Sequence, residues 1–169
     1  FWDSIHKYPR FQGGFLWDFA DKAIAVADSV SGRTKYCYGG AFDEDVVDGT
    51  PDMCLNGIVF ADLSFKPGAY EVRNVQSPVI LQASSDWSGK QFIKVTNHYH
   101  TLDLSHLVFP YDVVENGSIV FSGTFGPLHT PAGTSEFVPY PELPAKLKGE
   151  AYLNLYAKLS SDTAYAPAG

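Results

Sequence analysis

The chain has 169 residues, 45% of them hydrophobic and 15% aromatic, with 18% charged and a formal net charge of −7. That apolar share suits one or two packed domains, and the negative balance argues against nucleic acid or an anionic membrane as the main partner. No apolar run approaches the roughly 18–20 residues that span a bilayer, and Phe1 to Arg10 lacks the basic start and continuous apolar stretch of a signal peptide. With no initiator Met, the chain reads as a piece of a longer, cytoplasmic protein. Its two cysteines, Cys37 and Cys54, are expected as reduced thiols. With no nearby His they do not complete a zinc site.

Phe1, Trp2, Ile5 and Tyr8 fall at helical spacing, and Pro9 closes that segment. Phe11 to Leu16 is apolar on both faces, as expected of a parallel strand covered on both sides. Residues 20–35 mix Ala, Asp and Ser around Ser31-Gly32 and read as a solvent-facing excursion. Tyr36 to Phe42 is aromatic and Gly-rich, and Asp43, Glu44, Asp45 and Asp48 follow as an acidic, solvated loop. After Pro67, Gly68 to Gln76 suits a helix begun by a proline, with Tyr70, Val72 and Val75 partly buried.

The character changes near residues 74–78, after which period-two alternation dominates. Val79 to Ala83 and Phe92 to Thr96 read as strands around a Ser88-Gly89 turn. Leu107, Phe109, Tyr111 and Val113 share one face, and Ile119, Phe121 and Phe125 share another. Glu115-Asn116-Gly117-Ser118 joins them. Asn116-Gly117-Ser118 also fits a glycosylation acceptor, but the tight-turn reading is preferred. Prolines 131, 139, 141 and 144 mark a loop-rich link. A long strand follows, with Ala151, Leu153, Leu155, Ala157 and Leu159 inward and Tyr152, Asn154, Tyr156 and Lys158 outward. Several short strands with turns between them predict an antiparallel sandwich.

For chemistry, Trp17 follows the expected strand, and Gly13-Gly14 leave room for a neighbouring backbone or a ligand. From the residues alone, Trp17 is either a large core side chain under a loop or a flat wall for the C–H edge of a sugar. Asn56-Gly57 is either a plain turn or part of a site, and Met53 is a possible core filler. His98 and His100, two apart on one strand face, with His106 after a short loop, read as surface histidines. Retaining glycosidases need two carboxylates about 5–5.5 Å apart. Asp18 with Asp62, and Asp43 with Asp52, are imaginable pairs, yet none stands at a clear strand end beside a partner.

Two runs in this order, Tyr8-Pro9-Arg10-Phe11-Gln12-Gly13-Gly14-Phe15-Leu16-Trp17-Asp18-Phe19 and Met53-Cys54-Leu55-Asn56-Gly57-Ile58-Val59-Phe60-Ala61-Asp62, resemble the end of the catalytic barrel of family 2 β-galactosidases. The resemblance implies an α+β segment. Residues 1–76 would be the C-terminal part of a (β/α)₈ barrel, and residues 77–169 an immunoglobulin-like antiparallel β-sandwich. It implies that Trp17 lines the galactose site, with Asp18 a structural carboxylate. It further implies a sodium ion held by the Asn56 side-chain oxygen and the Met53 carbonyl, oxygen ligands of the kind a hard cation prefers. Where family members carry phenylalanine this chain has Met53, so the carbonyl carries over and the aromatic contact does not. Tyr38-Gly39-Gly40-Ala41-Phe42 likewise has Ala41 where an acid is common.

By the same resemblance, both catalytic glutamates and the ligands of a catalytic magnesium lie outside this chain. The parent would be a homo-oligomeric, retaining hydrolase of terminal β-D-galactosides such as lactose. The segment alone would be inactive, and its partner would be the remainder of the parent chain. A different class of function is a non-catalytic carbohydrate-binding or structural sandwich module, gripping a glycan with Trp87, Tyr152 and Tyr156.

Overall fold

The computed structural model describes residues 1–44, 55–143 and 146–169. It divides into two compact units, Phe1–Ser77 and Pro78–Gly169.

The first unit opens with helix α1, Trp2–Lys7. Its C-cap Tyr8 is already extended, as the residue before a proline tends to be. Phe11 to Leu16 does not form the expected buried strand: it joins no ladder, and all six residues are exposed. A parallel strand is held by neighbours on both sides, and the described residues supply neither. Within the expected solvent-facing excursion and just beyond it, β1 (Ile24–Ala27) and β2 (Thr34–Cys37) pair as a mostly exposed antiparallel hairpin. Asp28 closes its loop, accepting from the Ser31 amide at 3.2 Å and meeting Lys35 at 3.0 Å. Those contacts hold its carboxyl below the ordinary value, the Ser31 hydroxyl contributing most. Helix α2 runs Pro67–Val75 with proline in its first turn, where a missing N–H costs nothing. Val72 and Val75 are half-buried, while Tyr70 is exposed, edge-on to Phe65.

The second unit is two antiparallel sheets. One has β3 (Val79–Ser85), β4 (Gln91–Asn97) and β7 (Ser135–Pro139) in the order β3-β4-β7. The other centres on β5 (Leu107–Glu115), flanked by β6 (Ser118–Phe125) on one side. On its other side lie β8 (Ala151–Leu155) and the short β9 (Lys158–Leu159). Alternation sets the faces: Ile93, Val95 and Asn97 on β4, and Leu107, Phe109, Tyr111 and Val113 on β5, are buried. Val79, Ile93, Val95 and Val138 from one sheet meet Leu107 and Phe109 from the other in a single core, closed by Leu104 and Leu128. This is face-to-face sheet packing.

Asn116 and Gly117 both take positive φ, 48° and 82°, between the paired residues Glu115 and Ser118. This is the turn that Asn-Gly favours because its backbone twist matches the hairpin. Ile119 and Phe121 on β6 are exposed, whereas Phe125 packs against the core. The expected continuous strand over 151–159 is interrupted after Leu155. The break faces Pro110, whose carbonyl accepts from the Tyr156 amide at 3.0 Å but which has no N–H to return. Beyond it β9 resumes pairing at Leu107 and Val108.

A buried polar side chain fastens the loops at one end. Asn97 donates to the carbonyls of Leu102 and Thr130, both at 2.9 Å, and accepts from the Tyr99 amide at 2.8 Å. Asn97→Ala would leave these groups without their partner, at about 1–3 kcal/mol for a buried unsatisfied group. The expected result is a lower urea midpoint with an unchanged slope; a wild-type midpoint would show that water replaces the amide.

Candidate functional site

The site builds from the meeting of two distant segments of the first unit. Residues 18–21 lie alongside residues 57–59. The Ile58 amide donates to the Asp18 carbonyl at 3.1 Å, the Val59 amide to the Phe19 carbonyl at 3.0 Å, and the Asp21 amide to the Val59 carbonyl at 3.1 Å. Ala20 and Val59 form a parallel bridge, and Val59 bridges antiparallel to Phe65. Val59 is buried at this junction. The approach is close because position 57 is glycine: a Cβ there would stand 2.3 Å from the carbonyl carbon of Ala20 and the amide nitrogen of Asp21.

Below the junction is a shielded ion pair. Asp21 Oδ1 accepts from Lys66 Nζ at 2.6 Å and from the Gly57 amide at 2.9 Å. The side chains of Lys66 and Asp21 are 21% and 5% exposed. Lys66 Nζ also donates to the Leu55 carbonyl at 2.9 Å and lies 5.2 Å from the centre of the Phe60 ring. Neither Asp21 nor Lys66 is singled out by the sequence. Asp21 falls in a polar stretch that reads as exposed, and only pairing with residue 57 reveals its role. The one local signal is Gly57, whose preference for a close backbone approach is masked by the commoner Asn-Gly turn.

Trp17 sits at the edge of this junction and is 77% exposed; it is therefore not a core side chain of the described residues. Its peptide bond to Asp18 is cis. Lys22 Nζ lies 5.0 Å from the centre of its ring and 2.7 Å from Asp18 Oδ2. That ion contact lacks hydrogen-bond directionality, since Asp18 Oδ2 has no hydrogen-bond partner among the described residues. Phe11, Phe15, Leu16 and Phe19 of the same run are also exposed. A Cβ at Gly13 or Gly14 would meet nothing within 4 Å.

Asn56 is exposed, between Leu55, which takes a left-handed φ of 55°, and buried Gly57. Met53, Cys54 and Asp52 lie outside the described residues, as do Asp45 and Asp48. Cys37 is a free thiol. Asp62 is spent on its own turn, accepting from the Ser64 amide at 2.9 Å, and the Ser64 hydroxyl holds its carboxyl below the ordinary value. Glu44, expected in a solvated loop, is exposed and folds back on that loop. Its two oxygens accept from the amides of Gly40 at 2.6 Å and Phe42 at 2.8 Å, and backbone hydrogen bonds lower its pKa.

Among the described residues, no group of three His, Cys, Asp or Glu side chains converges to hold a metal. His98 and His100 do not share a strand face, because β4 ends at Asn97. His106 packs edge-on to Tyr99 at 5.2 Å instead. Trp87 lies in the turn between β3 and β4, fully exposed, while Tyr152 is on β8 of the other sheet and Tyr156 just follows it. No helix among the described residues is long and apolar enough to cross a membrane.

Comparison with known proteins agrees with the two-unit division of the chain. Residues 1–81 match the domain described as "Glycosyl hydrolases family 2, TIM barrel domain", and residues 93–169 match "Beta-galactosidase, domain 4". The β-galactosidase of Arthrobacter sp. (strain B7) is 35% identical over 173 residues, covering 99% of this chain and 17% of that protein. That of Priestia megaterium is 33% identical over 171 residues, covering 100% of the chain and 16% of the protein. The β-galactosidase of Psychromonas ingrahamii is 30% identical, again over 100% of the chain and 16% of the protein. The chain thus spans about a sixth of the length of these relatives. Two adjoining domains of one enzyme family matched in order, with relatives aligned from end to end, show that the chain belongs to the β-galactosidases of glycoside hydrolase family 2.

Proposed function

We propose that this chain is the part of a retaining β-galactosidase that positions the sugar, in a parent that hydrolyses terminal β-D-galactosides such as lactose. The observation that carries the reading is the junction itself. Residues 18–20, directly after Trp17, are hydrogen-bonded to residues 58–59, directly after Asn56-Gly57. The sugar-stacking wall and the cation-binding asparagine are thereby built on one node. Trp17 offers its flat, exposed face to the galactose ring. Fixing a substrate against groups held elsewhere lowers the barrier by removing freedom of motion before reaction. The catalytic glutamates and the magnesium ligands belong to the rest of the parent.

The residues fit a monovalent cation. The donor set of Asn56 oxygen and Met53 carbonyl is neutral. Neutral oxygen ligands present a weak field, which suits sodium better than a multivalent ion. When bound, sodium supplies an electrostatic anchor for a sugar hydroxyl; Asn56 holds it.

In this reading residues 1–76 are the C-terminal part of a (β/α)₈ barrel. Their exposed Phe11, Phe15, Leu16 and Phe19 are the face that the remaining barrel strands cover, in a homo-oligomeric parent. Residues 77–169 are an immunoglobulin-like sandwich. The test is complementation: this chain mixed with an inactive parent truncated before the position of Phe1. Restored β-galactosidase activity is expected, falling on the order of 100-fold with Trp17→Ala, as misplaced substrate does. A folded chain that restores nothing, or a Trp17→Ala chain that restores everything, would sink the reading.

A further inference from the structure

The backbone on both sides of Asn56 is gripped by one ion pair. The carbonyl before it, Leu55 O, accepts from Lys66 Nζ at 2.9 Å. The amide after it, Gly57 N–H, donates to Asp21 Oδ1 at 2.9 Å. The two gripping groups are themselves joined at 2.6 Å. The pair is largely shielded from solvent, so salt screens it weakly. Leu55 is held at φ 55°, a conformation leucine avoids unless something fixes it. The Asn56 side chain is exposed and has no hydrogen-bond partner among the described residues. The backbone grip is therefore what sets the position from which its amide projects.

We propose that Asp21 and Lys66 are positioning residues for Asn56, a salt-bridge clamp that sets the cation affinity of the site without touching the cation. The proposal rests on the reading of Asn56 as a sodium ligand. Outer partners that orient ligands govern affinity because an ill-placed donor must be reordered at the moment of binding. The opposite charges also cancel, so the clamp orders the loop without placing a net positive charge beside an incoming cation.

The test uses the full-length parent enzyme. Its thermal midpoint is followed as sodium chloride replaces choline chloride at constant ionic strength, alongside KM and kcat. Asn56→Ala removes the proposed ligand. Asp21→Asn with Lys66→Met removes both charges together, keeps an oxygen for the Gly57 amide, and frees the Leu55 carbonyl without orphaning a buried charge. Lys35→Met breaks a more exposed ion pair in the same unit, with Asp28 at 3.0 Å, and serves as the control for loss of a lysine charge.

Asn56→Ala is expected to abolish the sodium-dependent rise in the midpoint. The double variant should need about tenfold more sodium, or beyond, with the change falling on KM more than kcat, while Lys35→Met leaves the sodium response unchanged. If Asn56→Ala abolishes the response but the double variant keeps the wild-type sodium requirement, or shifts it no more than Lys35→Met does, the clamp is overturned and the sodium reading stands. If Asn56→Ala leaves the response intact, the sodium reading fails and the clamp with it. Should the double variant not fold, Asp21→Asn alone, which is isosteric and strands only the more exposed Lys66 ammonium, is judged by the same sodium requirement.

Discussion

Phe109→Ala is expected to lower the stability of the chain by about 3–5 kcal/mol, the range for emptying a large aromatic side chain from a packed core. Phe109 is fully buried on β5, where the two sheets of the second unit share one core, and its ring lies 5.4 Å from that of Phe125. Deleting it opens a void between two sheets each held by its own strand ladders, which limits how far they can collapse to fill it. The measurement is urea unfolding of the second unit's transition, read by a probe on that unit. Phe109→Leu, which keeps most of the volume, should recover much of the loss. A midpoint for Phe109→Ala close to wild type would mean that the core seen around Ile93, Val95 and Leu104 is not the one holding the sheets together.

Gly57→Ala acts by the opposite mechanism, too much matter rather than too little. Its new methyl would meet backbone atoms of Ala20 and Asp21 at 2.3 Å. Backbone cannot rotate aside as a side-chain tip can, so residues 18–21 and 57–59 must move apart. Overpacking of this kind costs about 1–3 kcal/mol and occasionally more, and the shift also lengthens the Gly57–Asp21 hydrogen bond. In the complementation assay the variant should therefore lose activity along with stability. Amide exchange at Ile58 and Val59, whose protons are given to Asp18 and Phe19, should accelerate. Normal exchange at both amides would show that the approach at residue 57 has slack.

The second unit was legible in the sequence because its signals are local. Alternation on β4 and β5 assigns the buried face residue by residue, and Asn116-Gly117 names its own turn. The break after Leu155 was missed, because its cause, Pro110, lies on the neighbouring strand and not within the segment it interrupts. The first unit was legible in its motifs and not in its form. Phe11 to Leu16 has the composition of a buried parallel strand, but a ladder is a property of neighbours, and the described residues give it none. The hairpin of β1 and β2 was read only as a solvent-facing excursion, since its strands are four residues each and stay mostly exposed beside a Ser-Gly turn. The candidate site divides in the same way. Trp17 and Asn56 stand out through the runs that contain them, whereas Asp21 and Lys66, 45 residues apart, acquire meaning only when the chain brings them together.

Lys66 is both an anchor of that node and the residue that immediately precedes helix α2. The path from Phe60 to Lys66 is also pinned from within, by the Phe60 amide on the Ser64 carbonyl and by Phe65 against Val59. This stretch consequently behaves as a spacer of fixed length. One residue added or removed would carry the ammonium away from Asp21 and Leu55, and would turn the start of the helix by about 100°. The loop between β1 and β2 has no such double tether to the junction. There the chain has room to lengthen, at only about 0.6 kcal/mol for each doubling. Natural variation in chain length should therefore collect at the hairpin and leave the spacer untouched.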